Sequence, residues 1–238
     1  MSTPPSPPLS PTAARLGSIQ ERIEAALARS GREAGSVELV AVAKTATATT
    51  LQEAWAAGHR RFGHNRVERL EEHRQILPEA TWHLLGPLQG KKVRRAIAVA
   101  DVFEAVGEAK VIERLARRLE EDGHTQALPV YAQVNLAPED GRYGCPLSDL
   151  ETLLAQLAKT PQLRAAGLMT IAPLAVDGEE LRPLFRALRE RFEHAQQNGE
   201  LSTDAHLSMG MSGDYETAVE EGATLVRVGR AIFPLAAS

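Results

Sequence analysis

Lys44 closes the run Val37-Glu38-Leu39-Val40-Ala41-Val42-Ala43, and its amine is the first group in the chain whose position suggests chemistry. A nearly continuous apolar run rich in β-branched residues is the pattern of a strand buried on both faces of a parallel sheet. The carboxyl end of such a strand is where α/β sheets and barrels carry their reactive groups, and a primary amine there can attack a carbonyl carbon. The same position also suits a lysine that merely caps a strand and points to water. Three further stretches bear on the choice. Met209-Gly210-Met211-Ser212-Gly213-Asp214 follows Ser208 and leads into a helical pattern. Its glycines and serine can turn backbone N–H groups and a hydroxyl toward a phosphate, although such loops also serve as plain turns. Arg227 sits inside the apolar stretch Leu225-Val226-Arg227-Val228 and shares a strand face with Leu225 and Gly229. Buried there it needs acceptors, either a structural acid or a ligand. Asn65, in the polar loop His64-Asn65-Arg66, and Gly229-Arg230 occupy corresponding places after two other strands.

An amine, an anion-binding loop and an interior arginine together meet the needs of pyridoxal 5′-phosphate (PLP): a partner for its aldehyde, donors for its phosphate, and a group at its pyridine nitrogen. An arginine at that nitrogen donates without protonating it and so restrains carbanion chemistry. The other polar residues offer less. The histidines form no His-x-x-x-His pair with an acid, and one cysteine, Cys145, cannot build a zinc site or an intrachain disulfide. His83, beside Trp82, reads as a hydrogen-bonded residue at a strand end. Cys145 has no evident activating base. Lys91-Lys92 and Arg94-Arg95 form a local basic patch, either a solvated helix face or a surface for an anionic partner.

The elements that must position these groups alternate. Helical spacing runs over Ala13–Arg29, Leu51–Ala57, Val67–Leu77, Lys91–Ala100, Glu108–Asp122, Leu150–Ala158, Leu181–Gln197 and Tyr215–Glu221. Between them, after the Lys44 strand, lie strand patterns at Arg61–Gly63, Trp82–Gly86, Val102–Val106, Pro129–Leu136, Leu163–Thr170, Ala205–Ser208 and Thr224–Val228. A Gly/Pro-rich loop is expected from Leu136 through Pro146. Eight strands alternating with helices within about 200–250 residues predict an α/β fold, a single (β/α)8 TIM barrel over residues 13–238 with an extra N-terminal helix. A doubly wound open sheet is the alternative. A barrel requires functional groups just after its strands, and Lys44, Asn65, Gly86–Gln89, the 209–214 loop and Gly229-Arg230 all fall there.

Hydrophobic residues make up 43% of the 238, enough for a large core, and only 4% are aromatic, so that core is aliphatic. A net charge of −4 gives no overall field for nucleic acid or an anionic membrane. No apolar run approaches the ~20 residues of a membrane span. Residues 1–12 hold five prolines without the basic-then-apolar order of a secretory signal, and read as a disordered tail. The expected setting is the cytoplasm.

The motifs resemble those of the pyridoxal phosphate homeostasis protein family, relatives of the barrel domain of alanine racemase. Carrying the resemblance, in family order, are Ala41-Val42-Ala43-Lys44-Thr45, Gly63-His64-Asn65-Arg66-Val67, the stretch from Trp82 to Lys92, Gly167-Leu168-Met169-Thr170, the stretch from Leu207 to Asp214, and that from Val226 to Phe233. The resemblance implies that Lys44 holds PLP as a Schiff base and that Asn65 lines the pocket. It places Ser208, Met209, Gly210, Met211 and Ser212, with Gly229 and Arg230, around the phosphate, and Arg227 at the pyridine nitrogen. It also implies a role in buffering the cofactor or delivering it to PLP-dependent enzymes. The chain departs from the family pattern at His64 (usually glutamate), Arg142 (commonly lysine) and Pro234 (usually glycine).

A PLP-dependent amino-acid racemase is the competing reading. By resemblance, alanine racemases take a second base from an additional carboxyl-terminal β domain across a dimer interface. This sequence stops a few residues past its last strand, so that domain is expected to be missing, and a monomeric, non-catalytic carrier is expected. Racemisation needs a base on each face of the carbanion. Lys44 supplies one, and only Tyr143 and Tyr215 of the three tyrosines fall in loop positions that suit the other.

Overall fold

Residues 9–137, 141–173 and 178–235 are described in the computed structural model of the chain. Strands β1 (Glu38–Val42), β2 (Arg61–His64), β3 (Thr81–Leu84), β4 (Val102–Val106), β5 (Leu128–Asn135), β7 (Leu163–Thr170), β8 (His206–Ser208) and β9 (Leu225–Val228) pair in parallel around a ring. The ring is closed by two pairings together: β1 with β9, Val40 beside Arg227, and β4 with β5, Phe103 beside Val130. The doubly wound alternative is thereby excluded. The stretch expected as loop through Pro146 instead ends in a two-residue strand, β6 (Cys145–Pro146), laid along the end of β5.

Helices α2 (Ala48–Ala56), α3 (Val67–Ile76), α4 (Val93–Val99), α5 (Ala109–Glu121), α6 (Leu150–Ala158), α7 (Gly178–Gln197) and α8 (Tyr215–Glu220) follow their strands in turn. A single turn of 3₁₀ helix, Gly90–Lys92, leads into α4, so the α-helix starts two residues later than its spacing predicts. Among the described residues no helix follows β9. Its place is taken by α1 (Pro11–Arg29), which packs against α2 on one side and α8 on the other. The extra N-terminal helix is thus the barrel's last outer layer.

Helix α1 also begins earlier than its apolar spacing predicts. Ser10 caps it, its hydroxyl accepting from the Ala13 N–H at 3.2 Å, and Pro11 supplies a preset φ at the first turn. Thr12 is buried, its hydroxyl donating to the Glu53 carboxylate on α2. The expected tail therefore gives way to helix at Pro11, and residues 1–8 lie outside the described ones.

Strand alternation separates two cores. Leu39, Ala41, Phe62, Trp82, Val130, Leu168, Leu207, Val226 and Val228 face outward into one continuous layer with the helices. Inside the ring a smaller cluster forms from Val40, Ala105, Tyr131, Ala166, Met169 and Leu225. The rest of the interior is polar, and it lies beneath the strand ends that carry the predicted site.

Candidate functional site

Lys44 lies two residues beyond β1, at the rim. Val40 belongs to the inner cluster, so alternation through Val42 brings Lys44 to the inward side at the mouth. The residue is exposed, and its amine has no hydrogen bond or ion pair among the described residues. Next to it, the Thr45 hydroxyl donates to the Phe233 carbonyl and ties this loop to the chain after β9. Asn65 stands exposed one residue past β2, held by a close approach of the loop after β3: a Cβ on Gly86 would sit 2.2 Å from the Asn65 carbonyl oxygen. Any other residue at 86 would push the Asn65 loop away.

The loop after β8 and the segment after β9 interlock. Gly210 takes φ +96°, and a Cβ there would meet the Ala218 methyl at 2.6 Å and Tyr215 Cα at 2.9 Å, so the chain turns tightly onto α8 only with glycine. The Gly210 carbonyl accepts from Arg227 N–H at 3.0 Å, and Gly229 N–H donates to the Ser212 hydroxyl at 3.4 Å. Asp214 accepts from the Met211 N–H and its own N–H returns to the Met211 carbonyl at 3.1 Å. Burial raises the Asp214 carboxyl, against the Met211 hydrogen bond. With those bonds made, the N–H groups of Gly210, Ser212, Gly213, Arg230 and Ala231 donate to no acceptor among the described residues. Donors clustered in this way on two neighbouring loops are of the kind that can cradle an anion in a cup. The exposed Arg230 side chain, without an ionic partner among the described residues, adds charge beside it.

Below the rim runs a chain of buried bonds. Arg227, 3% exposed, donates through Nη1 to the Ser208 hydroxyl and through Nη2 to the Thr170 carbonyl at 2.6 Å. Ser208 donates to Glu104 Oε2 at 2.7 Å, and Arg227 Nη1 lies 3.7 Å from the same oxygen. His83 Nδ1 meets Glu104 Oε1 at 2.6 Å. Burial would raise the Glu104 carboxyl, but the His83 hydrogen bond, the charges of His83 and Arg227, and the Ser208 hydroxyl together hold it below its ordinary value. An ionised carboxylate only accepts, so His83 Nδ1 carries the proton. Burial depresses Arg227, and Glu104, Asp214 and Tyr131 oppose that.

The structure therefore gathers Lys44, Asn65, Gly210, Ser212, Arg227, Gly229 and Arg230 at one mouth, in differing states of engagement. Ser208 points inward and its hydroxyl is taken up by Glu104 and Arg227. Met209 faces the outer core, and its N–H donates to the Leu225 carbonyl at 3.1 Å. The Met211 N–H is held by Asp214. His64 turns outward from β2 against His73 of α3, ring centroids 5.5 Å apart. Glu104 escaped the reading of single residues, although an acid inside the apolar strand Val102–Val106 carries the same signal as Arg227 in its own strand. His83 is hydrogen-bonded, as its place near a strand end implies. Cys145 is buried, and burial followed by the charge of Asp149 pushes its thiol up to about 11, far from reactive.

Fold and rim define a class: a parallel eight-stranded α/β barrel presenting a lysine amine, unpaired among the described residues, beside a loop pair rich in unengaged N–H donors, over a buried arginine. The sequence matches the family of the alanine racemase N-terminal domain over residues 15–236. It is 32% identical over 221 residues to the pyridoxal phosphate homeostasis protein of Aquifex aeolicus, covering 92% of this chain and 96% of that protein. With the human protein of that name it shares 34% over 231 residues, 92% of this chain and 84% of the relative. The structure of PipY from Synechococcus elongatus with PLP bound superposes with a TM-score of 0.79 at 37% identity, over 93% of this chain and 99% of PipY. The chain belongs to the alanine racemase N-terminal domain family, alongside the pyridoxal phosphate homeostasis proteins. Alanine racemase of Corynebacterium glutamicum, at 19% identity and a TM-score of 0.65, shares the fold.

Proposed function

We propose that this protein binds PLP at the barrel mouth and serves in its homeostasis, holding the cofactor and giving it up to PLP-dependent enzymes. The observation that carries the reading is the convergence of a lysine amine with backbone donors on the two adjacent loops, all of them unengaged among the described residues. These residues fit the cofactor's two ends: Lys44 for the aldehyde, and the N–H groups of Gly210, Ser212, Gly213, Arg230 and Ala231 for the phosphate. Asn65 borders the same opening. Arg227, pinned by Ser208 and Thr170, keeps a permanent donor beneath it. Bound PLP supplies an aldehyde that amines take up reversibly. The names of the relatives and the ligand of PipY support the same cofactor.

Holding is favoured over racemisation by the tyrosines. Tyr215 borders the cup through its backbone, but its ring lies in the outer layer under the Arg22 guanidinium of α1 at 5.5 Å, turned away from the barrel interior. Tyr143 packs against the inner cluster and its hydroxyl accepts from Gly107 N–H at 3.1 Å. Burial raises both phenols, as it does Tyr131, which opposes the loss of a proton that a base must undergo. Lys44 and Asn65 also stand exposed, where an acceptor can reach them.

Borohydride reduction of the PLP-treated protein, followed by peptide mapping, tests the site. The label is expected on Lys44. Lys44→Ala is expected to give no reducible adduct while retaining weak binding through the cup. Label on another lysine, or an unchanged yellow absorbance in the variant, overturns the assignment. Solvent-isotope exchange at the α-carbon of alanine separates holding from racemisation, and exchange at a turnover rate rejects the carrier reading.

A further inference from the structure

The basic stretch at residues 91–95 divides in the fold. Lys92 pairs with Glu68 at 2.9 Å and Arg95 with Glu71, so that half is an ordinary ion-paired surface. Lys91 and Arg94 turn the other way, toward α5, and with Arg114, Arg117, Arg118 and Glu121 they line a cleft of about 450 Å³. Three of its cations, Lys91, Arg94 and Arg114, have neither a hydrogen bond nor an ion pair among the described residues. Arg117 reaches Glu121 at 3.7 Å, and Arg118 is held by Asp122 and by Glu121 at 3.1 Å. The loop crosses close above: a Cβ on Gly90 would lie 3.6 Å from Arg114 Nη1.

We propose that this cleft is a second binding site, for a small multiply charged anion of the polyphosphate class. A solvated helix face is convex and interleaves its acids with its bases. Here five cations from a 3₁₀ turn and two helices converge on one concavity. Glu121 and Asp122 offset Arg117 and Arg118, and the other three stand unpaired among the described residues, in a chain whose net charge is −4. Like charges so gathered raise the free energy of the fold, and a bound anion relieves them. The volume falls within the range of about 300–1,000 Å³ for small-ligand clefts. Among the described residues no aromatic side chain lines the cleft, so they offer no platform for stacking a base and read charge alone. Arginine forks suit paired phosphate oxygens, and two or three linked phosphates match cations spread over two helices better than one. None of the residues at the Lys44 mouth borders the cleft.

Calorimetric titration of the full chain with inorganic tripolyphosphate tests the proposal. With PLP present at saturation to occupy the rim cup, one saturable site is expected, at least about tenfold tighter than for orthophosphate and weakening as salt rises. Arg114→Glu is expected to weaken it by at least about tenfold, and Arg94→Gln by a smaller factor, whereas Arg230→Gln at the rim leaves it unchanged. Both cleft residues are exposed, and thermal unfolding confirms that the variants fold. Absence of a saturable site overturns the proposal, as does an affinity indifferent to Arg114. Binding that follows Arg230 would place the anion in the rim cup. A single-stranded oligonucleotide bound more tightly through the same residues would make the cleft part of an extended polyanion surface, and the small-ligand assignment would fall.

Discussion

Arg227 and Glu104 hold each other in the barrel interior, and neither is tolerable there alone. Glu104 has no exposure, and its charge is met by Arg227, Ser208 and His83. Replacing Arg227 with Met leaves that carboxylate without its arginine in a site water does not reach. The expected loss is about 3–5 kcal/mol of unfolding free energy in urea. Combining Arg227→Met with Glu104→Gln is expected to recover part of it, and strict additivity in the cycle would show that the two are not coupled. His64 makes a second prediction at this scale. Burial first, then the charges of His73, Arg69, Arg66 and Lys44, bring its pKa down to about 4 from 6.5. Above about pH 6.5 the imidazole is neutral in both states and costs nothing. As pH falls toward 4 the unfolded chain takes up a proton that the folded one refuses, so stability declines by about 3 kcal/mol. His64→Gln is expected to remove that part of the acid dependence, seen as a smaller drop between denaturation at pH 7 and at pH 4.5. An identical drop in both proteins would refute the assignment.

Among the elements, α1 shows the limit of reading a chain locally. Its apolar spacing at Leu16, Ile19, Ile23, Ala26 and Leu27 declares a helix with one buried face, and all five are buried. What that face covers is decided at the other end of the sequence, where β9 ends with no helix behind it among the described residues. Arg22 and Arg29 complete the seam by pairing with Glu216 and Glu220 of α8. Ile23→Ala, in the middle of the seam, is expected to cost about 2–5 kcal/mol, and Ser10→Ala at the cap about 1 kcal/mol, in equilibrium unfolding. Equal small losses would mean that α1 is only loosely docked. The same contrast explains what was legible elsewhere. Val102–Val106, Leu150–Ala158 and Leu163–Thr170 fall where their patterns place them, because an apolar run bounded by turn residues carries its own limits. Cys145–Pro146 becomes a strand only because β5 lies alongside, and two residues hold no period to read. At the site, Lys44, Arg227 and the glycine loop are legible as types out of place in their surroundings. Which N–H groups are left unengaged, and that Ser208 serves Glu104 and Arg227, depends on neighbours from distant strands.

For the molecule as a whole, ring closure is what turns separated motifs into one mouth. Lys44 and Arg230 are 186 positions apart in sequence, yet β1 and β9 are neighbours, and β8 adjoins β9. A ligand held at one end by Lys44 and at the other by the loops after β8 and β9 would bridge the seam where the first and last strands meet. Binding only to the folded state stabilises it by about 2.7 kcal/mol at a ligand concentration one hundred times the dissociation constant. For a chain of this size that is a rise of about 5–10 °C in melting temperature. PLP is expected to produce such a rise in the parent protein. Pyridoxal at the same concentration, with the aldehyde but no phosphate, is expected to produce a small fraction of it, and Gly210→Ala, which forces the cup open against Ala218 and Tyr215, to lessen the response to PLP. Calorimetric scans over a series of PLP concentrations check this. Equal shifts from pyridoxal and PLP would mean that the two loops contribute nothing to holding the ligand, leaving Lys44 as an isolated reactive amine at the rim.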